Sequence, residues 1–160
     1  MAAFIKFDGV DGECTDKDHK NWSILESFSQ AIHKPGGGQT GVTRRRGDVV
    51  LEDIMCAKQM DKSSPKLAEA ICNGKVFPKV QIHVTASYTD GGRVTYYAYE
   101  LKNVIVSSYQ VAGSGQSESV PTDQFSLNFE EIKVTYTEND SQGKKKGNVE
   151  YSWKVEEGSK

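Results

Sequence analysis

From Val80 to Tyr88 apolar and polar side chains alternate without a break. Val80, Ile82, Val84, Ala86 and Tyr88 take one face, and Gln81, His83, Thr85 and Ser87 the other. A period of two suits a strand with one buried side, so the segment from Val76 to Tyr88 is read as strand. Asp90-Gly91-Gly92 supplies residues that tolerate positive φ, which predicts a hairpin folding Arg93 to Val106 back onto it. Ser107 to Gln124 reads as loop, broken by Gly113-Ser114-Gly115 and Pro121. Beyond it the apolar phase is odd at Phe125, Leu127 and Phe129 and even at Ile132, Val134 and Tyr136, which implies a bulge near Glu130-Glu131. After a polar turn at Asn139 to Gly147, Val149, Tyr151, Trp153 and Val155 alternate again.

Upstream, Ala3 to Phe7 reads as a short strand followed by a Gly- and Asp-rich loop reaching about Lys20. Asn21 to His33 fits period two better than a helix, with Trp22, Ile24, Phe28 and Ile32 on one face and Ser23, Leu25, Ser27, Ser29 and Ala31 on the other. The bulky face is expected to meet the core and the small polar face to meet water or a partner. Lys34 to Gly47 carries glycine at 36, 37, 38, 41 and 47, then Arg44, Arg45 and Arg46, and reads as an arm or extended loop. Asp48 to Met60 returns to strand. The helix falls at Asp61 to Gly74, with Ser64 as N-cap, Pro65 at the first helical position and Gly74 as the stop. Its apolar stripe is Leu67, Ala68, Ile71 and Cys72, so the helix is expected to pack on a sheet. Together these elements make one mainly β domain over residues 1–160, a barrel or two-sheet sandwich of about seven or eight strands with one helix at its side.

Charge and composition narrow the function. Twenty basic and 22 acidic residues leave a net charge of −2, so no field recruits nucleic acid or an anionic membrane. MAAFIKFDGV lacks a basic leader and a long apolar core, so the chain is expected to fold in the cytosol and not to insert into a membrane. Cys14, Cys56 and Cys72 form no CxxC pair and read as packing residues of a reducing compartment. His19, His33 and His83 stand in no triad pattern, and Cys14 with His19 falls short of a structural zinc set. Asp8, Asp11, Asp16 and Asp18 lack the spacing of a calcium loop, and the glycine triplets do not lead into a phosphate-binding helix. No catalytic residue, metal or cofactor is therefore assigned. The residues point to assembly, with a monomeric β-sandwich ligand-binding module, for instance for carbohydrate, as the alternative.

Several runs resemble the Hcp family, the tube-forming proteins of bacterial type VI secretion systems. They are Val10-Asp11-Gly12-Glu13 with His19-Lys20, Asp61-Lys62-Ser63-Ser64-Pro65, Val106-Ser107-Ser108, Gly113-Ser114-Gly115, Pro121-Thr122 and Ser126-Leu127-Asn128-Phe129, in that order over nearly the whole chain. The resemblance implies a β-barrel built from two sheets, with one short flanking α-helix and an extended loop. It further implies a homo-hexameric ring, rings stacked into a tube inside a contractile sheath under a spike, and effector proteins carried in the lumen. Such a protein is assembled in the cytoplasm and then secreted through the apparatus without a signal peptide. On that basis Ser27, Ser29 and Ala31 are expected to face the lumen and its effectors. Gly41, Val42, Thr43, Arg44, Arg45 and Arg46 are expected in contacts between subunits or rings, with Asp16 and Asp18 of a neighbour as partners for the arginines. Gln30 and Ala31 stand where the family often has an aromatic residue and a glycine.

Overall fold

The structure, a computed structural model, describes residues 1–34, 49–88 and 92–155. In chain order the elements are β1 (Ala2–Phe7), β2 (Ser23–Ser29), β3 (Ile32–His33), β4 (Val50–Leu51), β5 (Ile54–Gln59), α1 (Ser64–Asn73), β6 (Phe77–Tyr88), β7 (Gly92–Ala112), β8 (Thr122–Asn128), β9 (Glu131–Asn139) and β10 (Lys145–Lys154). An eight-stranded antiparallel sheet runs β10-β9-β7-β6-β1-β2-β5-β8, and β8 returns to pair with β7. That pairing closes six strands, β7-β6-β1-β2-β5-β8, into a barrel and leaves β9 and β10 as a flap outside the closure. The two sheets expected from the family are thus parts of one continuous sheet. β3 and β4 form a separate small ladder, with Ile32 opposite Leu51 and His33 opposite Val50.

The alternation at Val80 to Tyr88 does what its period predicts. β6 and β7 form the expected hairpin, with Tyr88 opposite Gly92, and their inward residues line up as Val80 with Leu101 and Ile82 with Tyr99. Phe7, Ile54, Phe77, Val80, Ile82, Leu101, Phe125, Leu127 and Ile132 are almost completely removed from water. Each such side chain contributes about 1.5–3 kcal/mol of transfer free energy, so this closed interior is the main source of stability.

Four local expectations are corrected. The first concerns β7, which continues to Ala112 through the stretch expected to be loop, because Ser108 to Ala112 pair with Ser126 to Thr122. The connection is only the segment from 113 to 121. In place of a one-sided bulge near Glu130-Glu131, β8 and β9 are separated at Phe129 and Glu130 with their register on β7 unchanged: Asn128 lies opposite Ile105 and Glu131 opposite Lys102. β7 makes the matching irregularity at Asn103, whose φ is +52°. Its buried positions switch there from Tyr99 and Leu101 to Val104 and Val106, so both strands change phase together and keep their partners.

In β2 the expected face is wrong for Trp22 and Ile24. The ladder to β5 slips between Leu25 and Ser27, leaving Glu26 as an extra, exposed residue. Before the slip Ser23 and Leu25 point inward and Ile24 is 56% exposed; after it Phe28 packs on the core while Ser27 and Ser29 are exposed. One period could not be carried across a residue that belongs to neither face.

The helix has its expected extent but different contacts. Ser63 occupies the N-cap without a side-chain capping bond, and Ser64 is turned into the protein instead. The buried positions are Ser64, Leu67 and Ala70, while Ile71 and Cys72 of the expected stripe are exposed. Gly74 ends the helix at φ +68°, a conformation open to glycine, and Lys75 N–H donates to the Ala70 carbonyl. The helix packs against β7, and among the cysteines Cys14 and Cys56 are buried.

Candidate functional site

The cross-strand register builds one wall of the barrel from β2, β5, β8 and β7. Ser29 lies opposite Met55, Met55 opposite Ser126, and Ser126 opposite Ser108. The next outward row is Ser27, Ala57, Gln124 and Gln110, and the one after it Gln59, Thr122 and Ala112. No side chain in these rows is charged. Glu26 at the β2 slip and Asp53 at the opposite end stand at the border. Asp53, which can only accept when ionised, orients a line of hydroxyls: Ser108 donates to Ser126, Ser126 to Ser107, and Ser107 to Asp53 Oδ2, each step 2.6 Å. Asn128 donates to the other carboxylate oxygen at 3.0 Å. The wall surface is therefore uncharged and rich in hydroxyls and amides, with the half-exposed Met55 as its one large apolar side chain in these rows and Ser126 buried beneath it.

Its inner side holds a buried charge network that the sequence reading missed. Lys58 and Asp123 face each other directly across β5 and β8, and both side chains are fully buried. Lys58 Nζ donates to Asp123 Oδ2 at 2.7 Å, to Asp61 Oδ1 at 3.0 Å and to Ser64 Oγ at 3.0 Å. The Ser64 hydroxyl donates to Asp123 and accepts from Asp61 N–H, while Ser63 N–H donates to Asp61 and Ser63 Oγ meets Ser23 Oγ. Burial alone raises the Asp61 carboxyl, but the hydrogen bonds from Ser63 and Lys58 outweigh it and hold the group below the usual carboxylate range. Burial and the Asp123 carboxylate push the Tyr109 phenol up to about 12. The arrangement ties the start of α1 to β2, β5 and β8. It holds the wall in shape and presents no exposed reactive atom. The run Asp61-Lys62-Ser63-Ser64-Pro65 marked three of its members in the sequence, but Lys58 and Asp123 meet only through the β5–β8 register.

The opposite wall, from β6, the first half of β7, β9 and β10, has different chemistry. Lys79, Lys102, Glu131 and Lys154 form one outward row and Gln81, Glu100, Lys133 and Ser152 the next. Lys102 pairs with Glu131 at 3.8 Å and Lys133 with Glu150 at 3.6 Å. The inner face of the same strands continues past the barrel onto the flap as the rows Tyr97–Tyr136–Val149, Tyr99–Val134–Tyr151 and Leu101–Ile132–Trp153. Tyr136 and Tyr151 are nearly half exposed and Val149 is 75% exposed. Leu101, Ile132, Val134 and Tyr99 of these rows are buried, so the open part of the face is the patch of Tyr136, Val149 and Tyr151.

Of the residues expected at a site, Ser27 and Ser29 lie on the uncharged wall. Ala31 is exposed just beyond it, its carbonyl accepting from Glu52 N–H. Gly41, Val42, Thr43, Arg44, Arg45 and Arg46 lie outside the described residues. Among those described, no three His, Cys, Asp or Glu side chains converge to hold a metal ion, and no helix is long and apolar enough to cross a membrane.

A family model described as "Type VI secretion system effector, Hcp" matches residues 4–136. The protein hcp1 of Pseudomonas aeruginosa is 33% identical over 153 residues, covering 95% of this chain and 93% of the relative. A solved type six secretion system protein superposes with a TM-score of 0.89 at 27% identity, over 99% of this chain and 98% of that one. Hcp1 from Salmonella typhimurium shares the fold, with a TM-score of 0.79 at 23% identity and coverage of 99% and 97%.

Proposed function

The chain belongs to the Hcp family of type VI secretion systems, and from that premise we propose that it is a non-catalytic tube subunit. In this reading it forms a homo-hexameric ring in the cytoplasm, and the rings stack into the inner tube of the apparatus. A contractile sheath surrounds the tube, a spike tips it, and firing exports the subunit together with effector proteins held in the lumen. The observation that carries the reading is the contrast between the two outer walls. A channel that must stay wet and release its cargo is served by rows dominated by serine, glutamine, threonine and alanine, which present no fixed charge and only one large apolar side chain, Met55. The β2–β5–β8–β7 wall is therefore assigned to the lumen, with Ser27 and Ser29 on it and Ala31 at its edge.

Ring formation needs a second kind of surface. The apolar flap face around Tyr136, Val149 and Tyr151, bounded by the open edge of β10, suits burial against a neighbouring subunit. The arm with Arg44, Arg45 and Arg46 is proposed to reach between subunits or rings, where an exposed acidic residue such as Asp18 offers a partner, both oxygens of Asp16 being already engaged by His19 and Arg93; single exposed pairs of that kind are worth little.

Native mass spectrometry and electron microscopy test the proposal. The expected result is a hexameric mass and an annular particle; a monomer at micromolar concentration overturns it. Ser29→Trp is expected to keep the ring and weaken effector retention in a pull-down, whereas loss of the ring would place Ser29 in a packed contact. Replacing Arg44, Arg45 and Arg46 together by alanine is expected to impair ring or tube formation; unchanged assembly removes the arm from the proposal.

A further inference from the structure

Phe4 is 1% exposed, yet it lies on the outside of the barrel. Its neighbours Ala3 and Ile5 belong to the interior cluster, and across the ladders Phe4 faces His83 and Ile24 on the outer side. The 8–22 loop, between β1 and β2, folds over it and makes a small separate core. The His19 ring stacks on Phe4 with centroids 4.4 Å apart and planes 11° apart, and Trp22 meets His19 at 4.9 Å and His83 at 4.6 Å. His19 Nδ1 donates to Asp16 Oδ2 at 2.9 Å, and His19 Nε2 lies 3.1 Å from His83 Nδ1. Arg93 reaches in from β7, 3.2 Å from the other Asp16 oxygen and over the Phe4 ring.

We propose that Asp16, His19 and His83 form an acid-released latch that holds the 8–22 loop on the outer face of β1 and β6. The reason is a count of hydrogens. The Asp16 carboxylate only accepts, which fixes a hydrogen on His19 Nδ1, so Nε2 of the neutral ring is free to accept from His83 Nδ1–H. If His19 takes a proton, Nε2 becomes the donor and His83 Nδ1 accepts, and the contact survives. A second proton puts hydrogens on both facing nitrogens and two positive rings side by side, His19 buried between Phe4 and Trp22 and His83 partly buried beside them.

The surrounding charges set the direction. From the loop comes Asp16, kept ionised below the ordinary carboxylate range by the His19 hydrogen bond and, against its partial burial, by Arg93. From β7 comes Arg93 itself and from β6 Lys79, while β1 contributes the uncharged Phe4. Burial first, then His19 and Lys79, lowers His83 from the ordinary 6.5 to about 4. A histidine whose value is depressed by folding stabilises the closed loop above 6.5. That contribution fades as the pH falls from 6.5 towards 4, because the open loop takes the proton more readily. The latch does not depend on the ring. Its release frees the segment that leads into β2, the first strand of the uncharged wall, and uncovers Phe4 and Trp22.

The test uses the full chain. Imidazole proton resonances give the titration of each histidine, and hydrogen exchange, corrected for intrinsic rate, gives the opening of the loop amides of Gly12, Cys14, Asn21 and Trp22, all hydrogen-bonded within the loop. The expected result is that His83 titrates well below 6.5, and that loop protection falls at least about tenfold relative to Val80 and Ile82 between pH 7 and pH 4.5. His83→Gln retains hydrogen-bonding capacity but takes no proton, and is expected to abolish that extra fall while keeping protection at pH 7. Ordinary titration of His83, loop protection that tracks the barrel, or the same fall in His83→Gln overturns the latch. Should His83→Gln not fold, the unaltered chain decides: a His83 titration well below 6.5 together with the extra fall in loop protection supports the latch, and the absence of either overturns it.

Discussion

The two outer walls of this barrel are made by the same alternation and share a strand, yet they differ in every respect that matters to a partner. β7 carries Glu100 and Lys102 on the charged wall and then Ser108, Gln110 and Ala112 on the uncharged one. The change comes between Asn103, where the strand alters phase opposite the break between β8 and β9, and Ser107, where its ladder to β8 slips and turns Ser108, Gln110 and Ala112 outward. Apolar side chains of β7 are buried on both sides of Asn103, Tyr99 and Leu101 before it and Val104 and Val106 after it, so core formation along this strand does not explain why one wall lost its charges. Exposed strand residues are ordinarily free to be charged, as those of β9 and β10 are. A row without charges, over a buried ion network that fixes its backing, is the feature on which the proposed lumen wall rests.

The largest expected effect comes from cutting that backing. Lys58→Met leaves Asp123 buried without its cation and is expected to cost about 3–5 kcal/mol in urea unfolding. The double change Lys58→Met with Asp123→Leu should recover most of it; failure to recover would show that the network contributes more than paired charge. Next comes the β2 slip, which decides what the uncharged wall displays. Leu25→Ala is expected to cost about 3 kcal/mol, as a buried leucine, whereas Ile24→Ala should stay within about 1 kcal/mol. Equal costs would mean that the strand does not change face at Glu26.

A smaller effect is expected at Gly12. A β-carbon there would lie 2.4 Å from both Ser23 Oγ and the Trp22 carbonyl oxygen, so Gly12→Ala should cost about 1–3 kcal/mol and loosen the same loop that the histidine latch holds. The smallest effect belongs to the charged wall. Lys133→Ala, removing an exposed pair with Glu150, should change stability by no more than about 0.5 kcal/mol. A larger, salt-insensitive loss would show that this wall too is structurally committed.

Much of the fold was legible because it rests on local signals. Pro65 and Gly74 bracket the helix, and the period at Val80 to Tyr88 with its glycine turn specifies the hairpin. The site was less legible. Ser27 and Ser29 stand out in the sequence for their small polar character, but their wall consists of rows drawn from β2, β5, β8 and β7, and Ser108 and Gln110 lie in a stretch whose sequence reads as loop. Lys58 looked like an ordinary strand lysine and Asp123 like a loop carboxylate. His19 and His83, 64 positions apart, gave no sign of contact.

The sequence by itself determined the alternation, the hairpin and the extent of the helix, since each follows from dihedral preference and side-chain period over neighbouring residues. It also carried the family likeness in short ordered runs. Only the tertiary structure decided the closure of β8 on β7, the slip at Glu26, the paired phase change at Asn103, the Lys58–Asp123 network and the covering of Phe4 by His19. All of these depend on which distant strand supplies the partner. A one-residue choice of register, invisible in either strand alone, selects which side chains meet water and which meet the core.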